Sequence, residues 1–401
     1  MARNPLRGQV AIVGLGSTPY ARDLGRTHLS LGLEAATKAI ADAGINRQDI
    51  DGICGSGVTP LAMGGAGFLS LQGALGIERT TWGQNGWLGS ALVASVQAVF
   101  SGLCDTALCV QTYVRDPGMS RAAARDPFRR RAAQYADIGG DVGLGDFAKR
   151  WLHSGEPYAA IMRRYCHDFG VGKEAFARIA VNSRSHALRN PEAALQVPLS
   201  FEDYHASRTI WEPMAIADMD LPVDCAEAFV ITTAERARDL AQKPVLVEAM
   251  ALGGARVGEY YENWGGWHDN AFQSCLSGLW ARSDLTPADI DLFYPYEGYT
   301  IDAIAVIEAA RFCKVGESTD YLKDNWDPVS QTLRLGGRTE VNTDGGVLAH
   351  GRAGGSNLYA EAVRQLRGSE GARQIANART ALVGIGSFFH DPAAMTFITD
   401  A

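Results

Sequence analysis

The sequence predicts an α/β fold of parallel strands in which one supersecondary unit occurs twice. In the first copy, residues 43–51 lead into an apolar strand, and residues 283–291 do the same in the second copy. Both copies contain Asp-Ile-Asp, with Asp49 and Asp289 separated by 240 residues. Strand segments alternate with helical patterns at a spacing typical of parallel α/β layers. Because duplicated halves bring two sets of strand ends together, and ligands bind at such ends, the repeat indicates where the site lies.

The first half opens with a short buried strand at 9–14. A helix is predicted over 28–43, since its apolar residues recur near a period of 3.6. A strand begins at Gly52 and is followed by a helix over 90–102, whose apolar residues form one face and whose terminal glycine ends it. The next buried strand lies at 107–110.

The chain then changes character before it returns to the same pattern. Helices with an exposed face are predicted at 158–169 and 173–188, followed by a strand at 226–232 and a short helix at 234–241. The second half is predicted to contain strands at 244–247, after Asp291 and at 381–384, and helices at 272–281, 301–312 and 356–366. The helix and strand within 90–110 match those within 356–384 in kind, which supports the duplication.

The length predicts two domains or two fused halves, because 401 residues exceed one ordinary hydrophobic core. We expect an N-terminal half at 1–241 and a C-terminal half at 242–401. Arg, Tyr and Asp are dense from about 115 to 215, so this stretch is interpreted as a loop domain inserted in the first half.

Composition excludes several classes of function. Apolar residues make up 46% and charged residues 20%, which is typical of a globular protein. The net charge of −8 argues against a nucleic-acid binder. No apolar run reaches the ~18 residues of a membrane span. The start of the sequence lacks the apolar segment of a signal peptide, so a cytoplasmic protein is expected. Seven cysteines without a CxxC pair predict reduced thiols and no metal site.

Five groups of residues, in order along the chain, resemble the thiolase superfamily. They are Ala11–Gly14 with Thr18–Tyr20, Tyr158–Ala159 with Met162–Arg164, Asn182–Arg184 with His186 and Asn190–Pro191, Tyr296–Ile301, and Asn342–Gly346. The chain is similar in particular to the branch of sterol carrier protein X thiolases and lipid-transfer-type thiolase-like proteins. The resemblance covers nearly the whole chain. It implies two βαβαβαββ halves that form five layers (α-β-α-β-α), an inserted loop domain, a homodimer and acyl-CoA thioester substrates.

The sequence departs from the family at all four usual catalytic positions. The position of the nucleophilic Cys falls on Gly86, and the His of the family's Gly-His-Pro motif falls on Arg352. The late Cys-x-Gly motif falls on Gly384 to Gly386 and loses its Cys. The Asn or His of the Asn-Glu-Ala-Phe-type motif falls on Tyr296.

These departures favour a different reaction. Thiolysis needs a thiolate that holds the acyl group, which Gly86 cannot supply. A retro-aldol cleavage needs only a base near a β-hydroxyl group and hydrogen-bond donors at the thioester oxygen. The resemblance then narrows to thiolase-like aldolases that cleave CoA-activated steroid side chains, which lack the Cys and use tyrosines. It implies a small partner protein with a zinc ribbon and an OB-fold, supplied by another chain.

The predicted catalytic residues are His350, Tyr296, Tyr299, Arg352 and Glu297. His350 is the first candidate for the base, because the ordinary pKa of histidine, near ~6.5, suits proton transfer at neutral pH. Tyr296 is almost equally good, provided that a cation such as Arg352 lowers its pKa from ~10. Glu297 is expected to orient its neighbours rather than to transfer a proton.

Further residues are predicted to line the pocket. They are Gly86, Trp87, Asp344, Gly384 and His390. Trp87 is expected to fill the pocket or to stack on a flat substrate, and Asp344 to cap its turn or to hold His350. The basic run Arg129, Arg130 and Arg131 is a candidate for contacting the phosphates of CoA.

The leading hypothesis is therefore an acyl-CoA carbon–carbon lyase without a covalently bound cofactor. Two alternatives stay open at this stage. One is an acetyl-CoA acyltransferase or thiolase that uses a relocated cysteine, and the other is a non-catalytic thiolase-like subunit of a complex. The acyl group is left open between a steroid, an aromatic side chain and a branched fatty acid.

Overall fold

The computed structural model describes residues 4–56, 65–115, 155–254, 266–388 and 392–399. Its strands are β1 Val10–Ser17, β2 Gly52–Ser56, β3 Trp82–Gly86, β4 Thr106–Tyr113, β5 Thr209–Trp211, β6 Met214–Ala215, β7 Cys225–Thr233, β8 Val245–Leu252, β9 Leu292–Pro295, β10 Trp326–Asp327, β11 Thr332–Leu335, β12 Thr339–Val341, β13 Thr380–Ile385 and β14 Ala393–Thr399.

The α-helices lie between these strands. They are α1 His28–Ala43, α2 Phe68–Leu75, α3 Leu88–Phe100, α4 Glu156–Phe169, α5 Glu174–Ala187, α6 Phe201–Ala206, α7 Ala234–Ala237, α8 Ala271–Trp280, α9 Thr300–Ala309, α10 Ser318–Asp324 and α11 Ser356–Arg367. The structure confirms the predicted alternation of helices and strands.

The duplication predicted from the sequence is visible in the strand order. The first half of the sheet runs β3-β2-β4-β7-β1, and the second runs β12-β9-β13-β14-β8. The central strands of each half are parallel, β2 to β3 and β4, and β9 to β12 and β13. The halves join where β1 pairs with β8, at Ala11 with Leu246 and Ile12 with Val245. A short hairpin of β10 and β11 extends the second half.

The Asp-Ile-Asp motif ties neighbouring strands together in the same way in both halves. The carboxyl group of Asp51 accepts hydrogen bonds from the backbone N–H groups of Asp105 and Thr106, at 3.0 and 2.8 Å. The carboxyl group of Asp291 accepts them from Arg379 and Thr380, at 2.8 and 3.1 Å. Each aspartate therefore fixes the start of a central strand, β4 or β13, beside the strand that follows the motif.

Helices and sheet halves alternate as five layers. Helices α3 and α11 form the central layer, because both contact strands of both halves in one hydrophobic cluster. Helices α1 and α2 cover the outer face of the first half, and α8 and α9 cover the outer face of the second. This is the predicted five-layer architecture. The proposed division at 241/242 and the bounds of the inserted loop domain stay predictions.

Helix α5 is more buried than its polar sequence indicates. It packs against β11 and against the turn that leads to His350. Asn182 is buried within it and donates a hydrogen bond from its Nδ2 atom to the backbone oxygen of Val341, at 3.0 Å. Its Oδ1 atom accepts one from the N–H group of Leu333, at 2.8 Å. The expected exposed face is therefore narrow, since α5 is held between the short strands of the second half and the candidate site.

Candidate active site

The candidate site begins at the carboxyl end of β9, where the chain forms the tyrosine loop, residues 296–299. The N–H group of Tyr296 donates a hydrogen bond to the backbone oxygen of Gly384, at 2.8 Å. This bond continues the parallel pairing of β9 with β13 by one residue. Two of the four altered family positions, Tyr296 and Gly384, are thereby placed next to each other.

A further altered position, Arg352, comes to the same loop from the turn after β12. Its guanidinium Nη1 lies 3.3 Å from the Oδ2 atom of Asp220. Its positive charge also interacts with Tyr296 and Tyr299. Together these neighbours raise the pKa of Arg352, and the carboxyl group of Asp220 has the largest effect. The side chain is 43% exposed, so a substrate can reach a guanidinium that is held on one side by a carboxylate.

The Tyr296 hydroxyl group is a proton donor at neutral pH. Burial raises its pKa well above the ordinary value, the carboxyl group of Asp220 raises it further, and the charge of Arg352 lowers it by less. The expected lowering by Arg352 is thus present but smaller than the effect of burial. Tyr299 is less buried and stacks on Tyr158, with ring centroids 4.1 Å apart.

Gly86 ends β3, directly before α3, and no side chain fits there. A Cβ atom at Gly86 would lie 2.6 Å from the Cα atom of Ala91 and 3.1 Å from the Sγ atom of Cys54. Because the nearer contact is with backbone of the helix, the space that a cysteine would need is occupied. The predicted loss of the cysteine at Gly86 therefore goes with a loss of the space for its side chain.

Trp87 connects this position to Arg352 through a residue that the sequence analysis missed. The Trp87 side chain is exposed and meets the edge of Tyr113, with ring centroids 6.1 Å apart. The charge of Arg352 lowers the pKa of Tyr113, although burial raises it by more. Tyr113 ends β4 of the first half. The sequence could have indicated Tyr113 as a site residue, because it comes shortly after a predicted strand of the first half.

Glu297 joins the tyrosine loop to the turn that leads to Arg352. Its Oε1 atom accepts hydrogen bonds from the Ser183 hydroxyl group at 3.2 Å and from the Val347 N–H group at 3.1 Å. A Cβ atom at Gly346, where φ is +59°, would lie 1.5 Å from that oxygen, so the turn requires glycine there. Burial, followed by the charge of Asp344, raises the pKa of Glu297 well above its ordinary value.

His350 lies in a buried polar group below this turn. Its Nδ1 atom is 2.7 Å from the Oδ2 atom of Asp344, whose Oδ1 atom accepts a hydrogen bond from the Gly346 N–H group at 2.9 Å. The ring packs on Tyr20, with centroids 4.2 Å apart. Burial alone would raise the pKa of Asp344, but the hydrogen bond and charge of His350 hold it below its ordinary value. Asp344 therefore both caps the turn and holds His350.

The burial of His350 limits its ability to act as the base. Its side chain is only 2% exposed. Among the described residues, no hydrogen bond or ring contact joins His350 to Tyr296 or Arg352, and its Nε2 atom has no hydrogen-bond partner. The structure places Tyr296 beside Gly384 and brings Tyr296 and Tyr299 into the field of Arg352. Trp87 is linked to Arg352 through Tyr113, and His350, Asp344 and Glu297 are buried around the turn that precedes Arg352.

Four of the described cysteines are poor candidates for a relocated nucleophile. Cys54 lies nearest to Gly86, but a hydrogen bond with Cys109, followed by burial, raises its pKa well above the ordinary value. Burial raises the pKa of Cys104, Cys275 and Cys313 to about 12. These thiols are therefore protonated at neutral pH and are poor nucleophiles.

Two predictions fall outside the described ranges, the Arg129–Arg131 run and His390. Within those ranges, no cluster of three or more His, Cys, Asp or Glu side chains could hold a metal ion. No helix in the described part of the chain is long and apolar enough to span a membrane.

Comparison with known proteins identifies the family. The family described as thiolase C-terminal domain-like matches residues 267–399. The 17-hydroxy-3-oxo-4-pregnene-20-carboxyl-CoA lyase of Mycobacterium tuberculosis is 34% identical over 394 residues, which are 95% of this chain and 97% of that protein. The steroid side-chain-cleaving aldolase of Thermomonospora curvata is 31% identical over 381 residues, 91% of this chain and 92% of that protein.

A solved structure agrees with these relatives. The Ltp2-ChsH2(DUF35) aldolase has a TM-score of 0.81 and 29% identity, and the match covers 98% of this chain and 99% of that one. The fold, the altered cysteine position and the extent of these matches lead to one assignment. The chain belongs to the thiolase-like family that includes the steroid side-chain-cleaving aldolases.

Proposed function

We propose that this protein cleaves a carbon–carbon bond of a β-hydroxyacyl-CoA thioester by a retro-aldol reaction, without an acyl-enzyme intermediate. The observation that carries the proposal is at Gly86, the predicted position of the family nucleophile, where a Cβ atom would lie 2.6 Å from the Cα atom of Ala91. The family scaffold supports a CoA thioester as the substrate. Two relatives that match more than 90% of this chain are named for steroid substrates, which supports a steroid as the acyl group.

The tyrosine loop and Arg352 would perform the reaction. A base takes the proton of the β-hydroxyl group, the oxygen forms a ketone or aldehyde, and the electrons of the Cα–Cβ bond pass into the thioester as an enolate. Tyr296, which keeps its proton, and the guanidinium of Arg352 are suited to donate hydrogen bonds to the enolate oxygen. The base then returns its proton to Cα, which yields the shortened thioester.

The geometry favours Tyr299 as the base. It is more exposed than Tyr296, it stacks on Tyr158, and the guanidinium of Arg352 interacts with it. His350 is the alternative base, since its Nε2 atom is free of hydrogen bonds among the described residues, but burial closes it off. We assign His350, Asp344 and Glu297 the role of holding the turn in shape.

The direct test is to incubate the protein with a steroid β-hydroxyacyl-CoA in D2O and to analyse the products by mass spectrometry. We expect a ketone and a shortened thioester that carries one deuterium at Cα, because the enolate takes its proton from an exchangeable group. The matched control is the same thioester without its β-hydroxyl group, which should stay intact. No cleavage of the hydroxylated thioester, with a partner protein supplied, would contradict the proposal.

The alternative of a relocated cysteine makes a different prediction. It requires inactivation by iodoacetamide and an acyl adduct on a cysteine, whereas the hydrogen bond with Cys109, followed by burial, raises the pKa of Cys54, the thiol beside Gly86. A non-catalytic subunit would leave every measured activity intact after Tyr296→Phe. The retro-aldol proposal requires the opposite result in both experiments.

We also propose a homodimer that acts with a small partner protein. The strand β3 lies at one edge of the sheet, and Gly83 and Gln84 are exposed on it. Leu103, whose backbone oxygen accepts a hydrogen bond from Thr81, is exposed beside that edge. Bare edges of this kind are normally covered. The similarity to the Ltp2-ChsH2(DUF35) aldolase supports a partner of the DUF35 class, which co-expression followed by affinity purification would test.

A further inference from the structure

Residues 219–222, called here the crossing segment, run between the tyrosine loop and the turn that carries Arg352. Met219 forms a β-bridge with Tyr299, and Pro222 forms one with Arg352. The segment thus contacts both loops that carry the proposed catalytic groups.

Three backbone hydrogen bonds hold the crossing segment in register. The N–H group of Asp220 donates to the oxygen of Gly298 at 3.0 Å, and that of Leu221 donates to the oxygen of Val347 at 3.0 Å. The N–H group of Arg352 donates to the oxygen of Leu221 at 2.8 Å. Because these bonds join backbone to backbone, they fix the position of the Asp220 Cα atom relative to both loops.

The side chain of Asp220 points from this fixed position to the guanidinium of Arg352. Its carboxyl group is 13% exposed and lies 3.3 Å from the Arg352 Nη1 atom. Tyr296, Tyr299, Tyr113 and Cys225 also interact with the charge of Arg352. The carboxylate therefore holds the guanidinium by one Nη atom, and the tyrosines that interact with it belong to other segments of the chain.

We infer that Asp220 is a positioning residue, which holds the guanidinium of Arg352 at the tyrosine loop so that it can stabilise the enolate. This inference rests on the proposed retro-aldol function. An arginine side chain has several rotatable bonds, so a fixed carboxylate partner reduces the number of orientations that it must lose in the transition state. Asp220 does not itself touch the reacting atoms.

Asp220 also has an electrostatic effect that can be measured without turnover. Its negative charge raises the pKa of Tyr296, and the positive charge of Arg352 lowers it. Replacing Asp220 by Asn removes the first effect, which is the larger of the two, whereas a guanidinium that moves away removes only the smaller. The pKa of Tyr296 should therefore fall in Asp220→Asn.

The test compares Asp220→Asn, Arg352→Met and the double variant in the cleavage assay. We expect Asp220→Asn to lower kcat at least about tenfold with little change in KM, since a misplaced group costs rate rather than binding. In the Arg352→Met background it should have no further effect, because the two residues act as one unit. Losses that multiply, or an unchanged kcat in Asp220→Asn, would overturn the inference.

A matched control is available in the same chain. Glu340 forms an ion pair with Arg334 at 3.1 Å, with side-chain exposures of 14% and 58%, which resemble those of Asp220 and Arg352. Glu340 lies on β12, outside the proposed catalytic groups. Glu340→Gln should leave kcat unchanged. An equal loss in this variant would mean that Asp220 acts through general stability, and would also overturn the inference.

The absorbance of tyrosinate during an alkaline titration separates this inference from the proposed function. Asp220→Asn should contain one tyrosine that ionises at a lower pH than in the parent protein, and this shift should disappear when Tyr296→Phe is added. If the parent protein cleaves no β-hydroxyacyl-CoA, the proposed function fails while the titration still decides the coupling. A titration identical to that of the parent protein would contradict the placement of Asp220.

Discussion

A cysteine introduced at Gly86 meets the backbone of α3 before its sulfur can reach a substrate. We expect Gly86→Cys to lower the free energy of unfolding by about 1–3 kcal/mol, the usual cost of overpacking, and to form no acyl adduct. Gly73→Cys is the matched control, because nothing lies within 4 Å of a Cβ atom there. Thermal unfolding and intact-protein mass spectrometry with an acyl-CoA would check both. An acylated Cys at this position would contradict the prediction.

The Tyr296 hydroxyl group provides a prediction with a defined sign. Since burial raises its pKa above the ordinary ~10, the group keeps its proton at neutral and mildly alkaline pH. We expect Tyr296→Phe to lower kcat by about 100-fold, the loss typical of one oxyanion donor. The donor itself should cause no fall in the parent kcat below a pH of about 10. A kcat profile over alkaline pH, measured for both proteins, checks this.

The buried pair of Asp344 and His350 should affect stability more than it affects the chemical step. The folded pKa of Asp344 is lowered, so its contribution is present above its unfolded pKa of ~3.9 and is lost as the pH falls through the folded pKa. We expect Asp344→Asn to cost about 1–3 kcal/mol at neutral pH and less in acid. Urea unfolding at both pH values would show this, whereas an equal cost at both would contradict it.

At the scale of elements, the two Asp-Ile-Asp motifs allow the same experiment in each half. Asp51 and Asp291 each accept backbone hydrogen bonds at the start of a central strand, and an Asn amide cannot accept all of them. We expect Asp51→Asn and Asp291→Asn each to lower the free energy of unfolding by about 1–3 kcal/mol with kcat unchanged. Calorimetry and the cleavage assay would measure both. A large effect in only one half would show that the Asp51 and Asp291 hydrogen bonds are not equivalent.

The elements that the sequence predicted are those with a strong period or a repeated motif. The strands β1, β4, β7 and β13 are mostly apolar, and the Asp-Ile-Asp repeat located β2 and β9. The strands β10, β11 and β12 have two to four residues each, too few for an alternating pattern to stand out. The burial of α5 depends on what packs against it, which its own residues do not specify.

The site was predictable where it follows from the duplication and from the family positions. Tyr296, Arg352 and Gly86 were predicted in this way, and their roles stay predictions. Tyr113 and Asp220 come from a distant strand end and from the crossing segment, and no local pattern marks either. The burial of His350 was not predictable, because a turn flanked by glycines is usually exposed.

At the scale of the whole molecule, the edge strand β3, which pairs on one side only among the described residues, predicts the assembly. We expect a homodimer of two 43.0 kDa chains, with Leu103 near its interface. Leu103→Glu should shift the protein to monomers, because it places a charge on an exposed apolar surface beside the edge. Val329→Glu is the control, since that side chain is 92% exposed elsewhere. Sedimentation would measure the mass, and a dimer unaffected by Leu103→Glu would contradict this interface.

The contact between Gly86 and Ala91 also restricts how this protein can change in evolution. A side chain at Gly86 would meet the backbone of α3 at Ala91, so a single codon change to cysteine is not expected to provide a working nucleophile there. Reversion would need the first turn of α3 to move back at the same time. The loss of the nucleophile is therefore hard to reverse one substitution at a time. Descendants of this lineage are expected to vary in the acyl group of their substrates rather than to return to thiolysis.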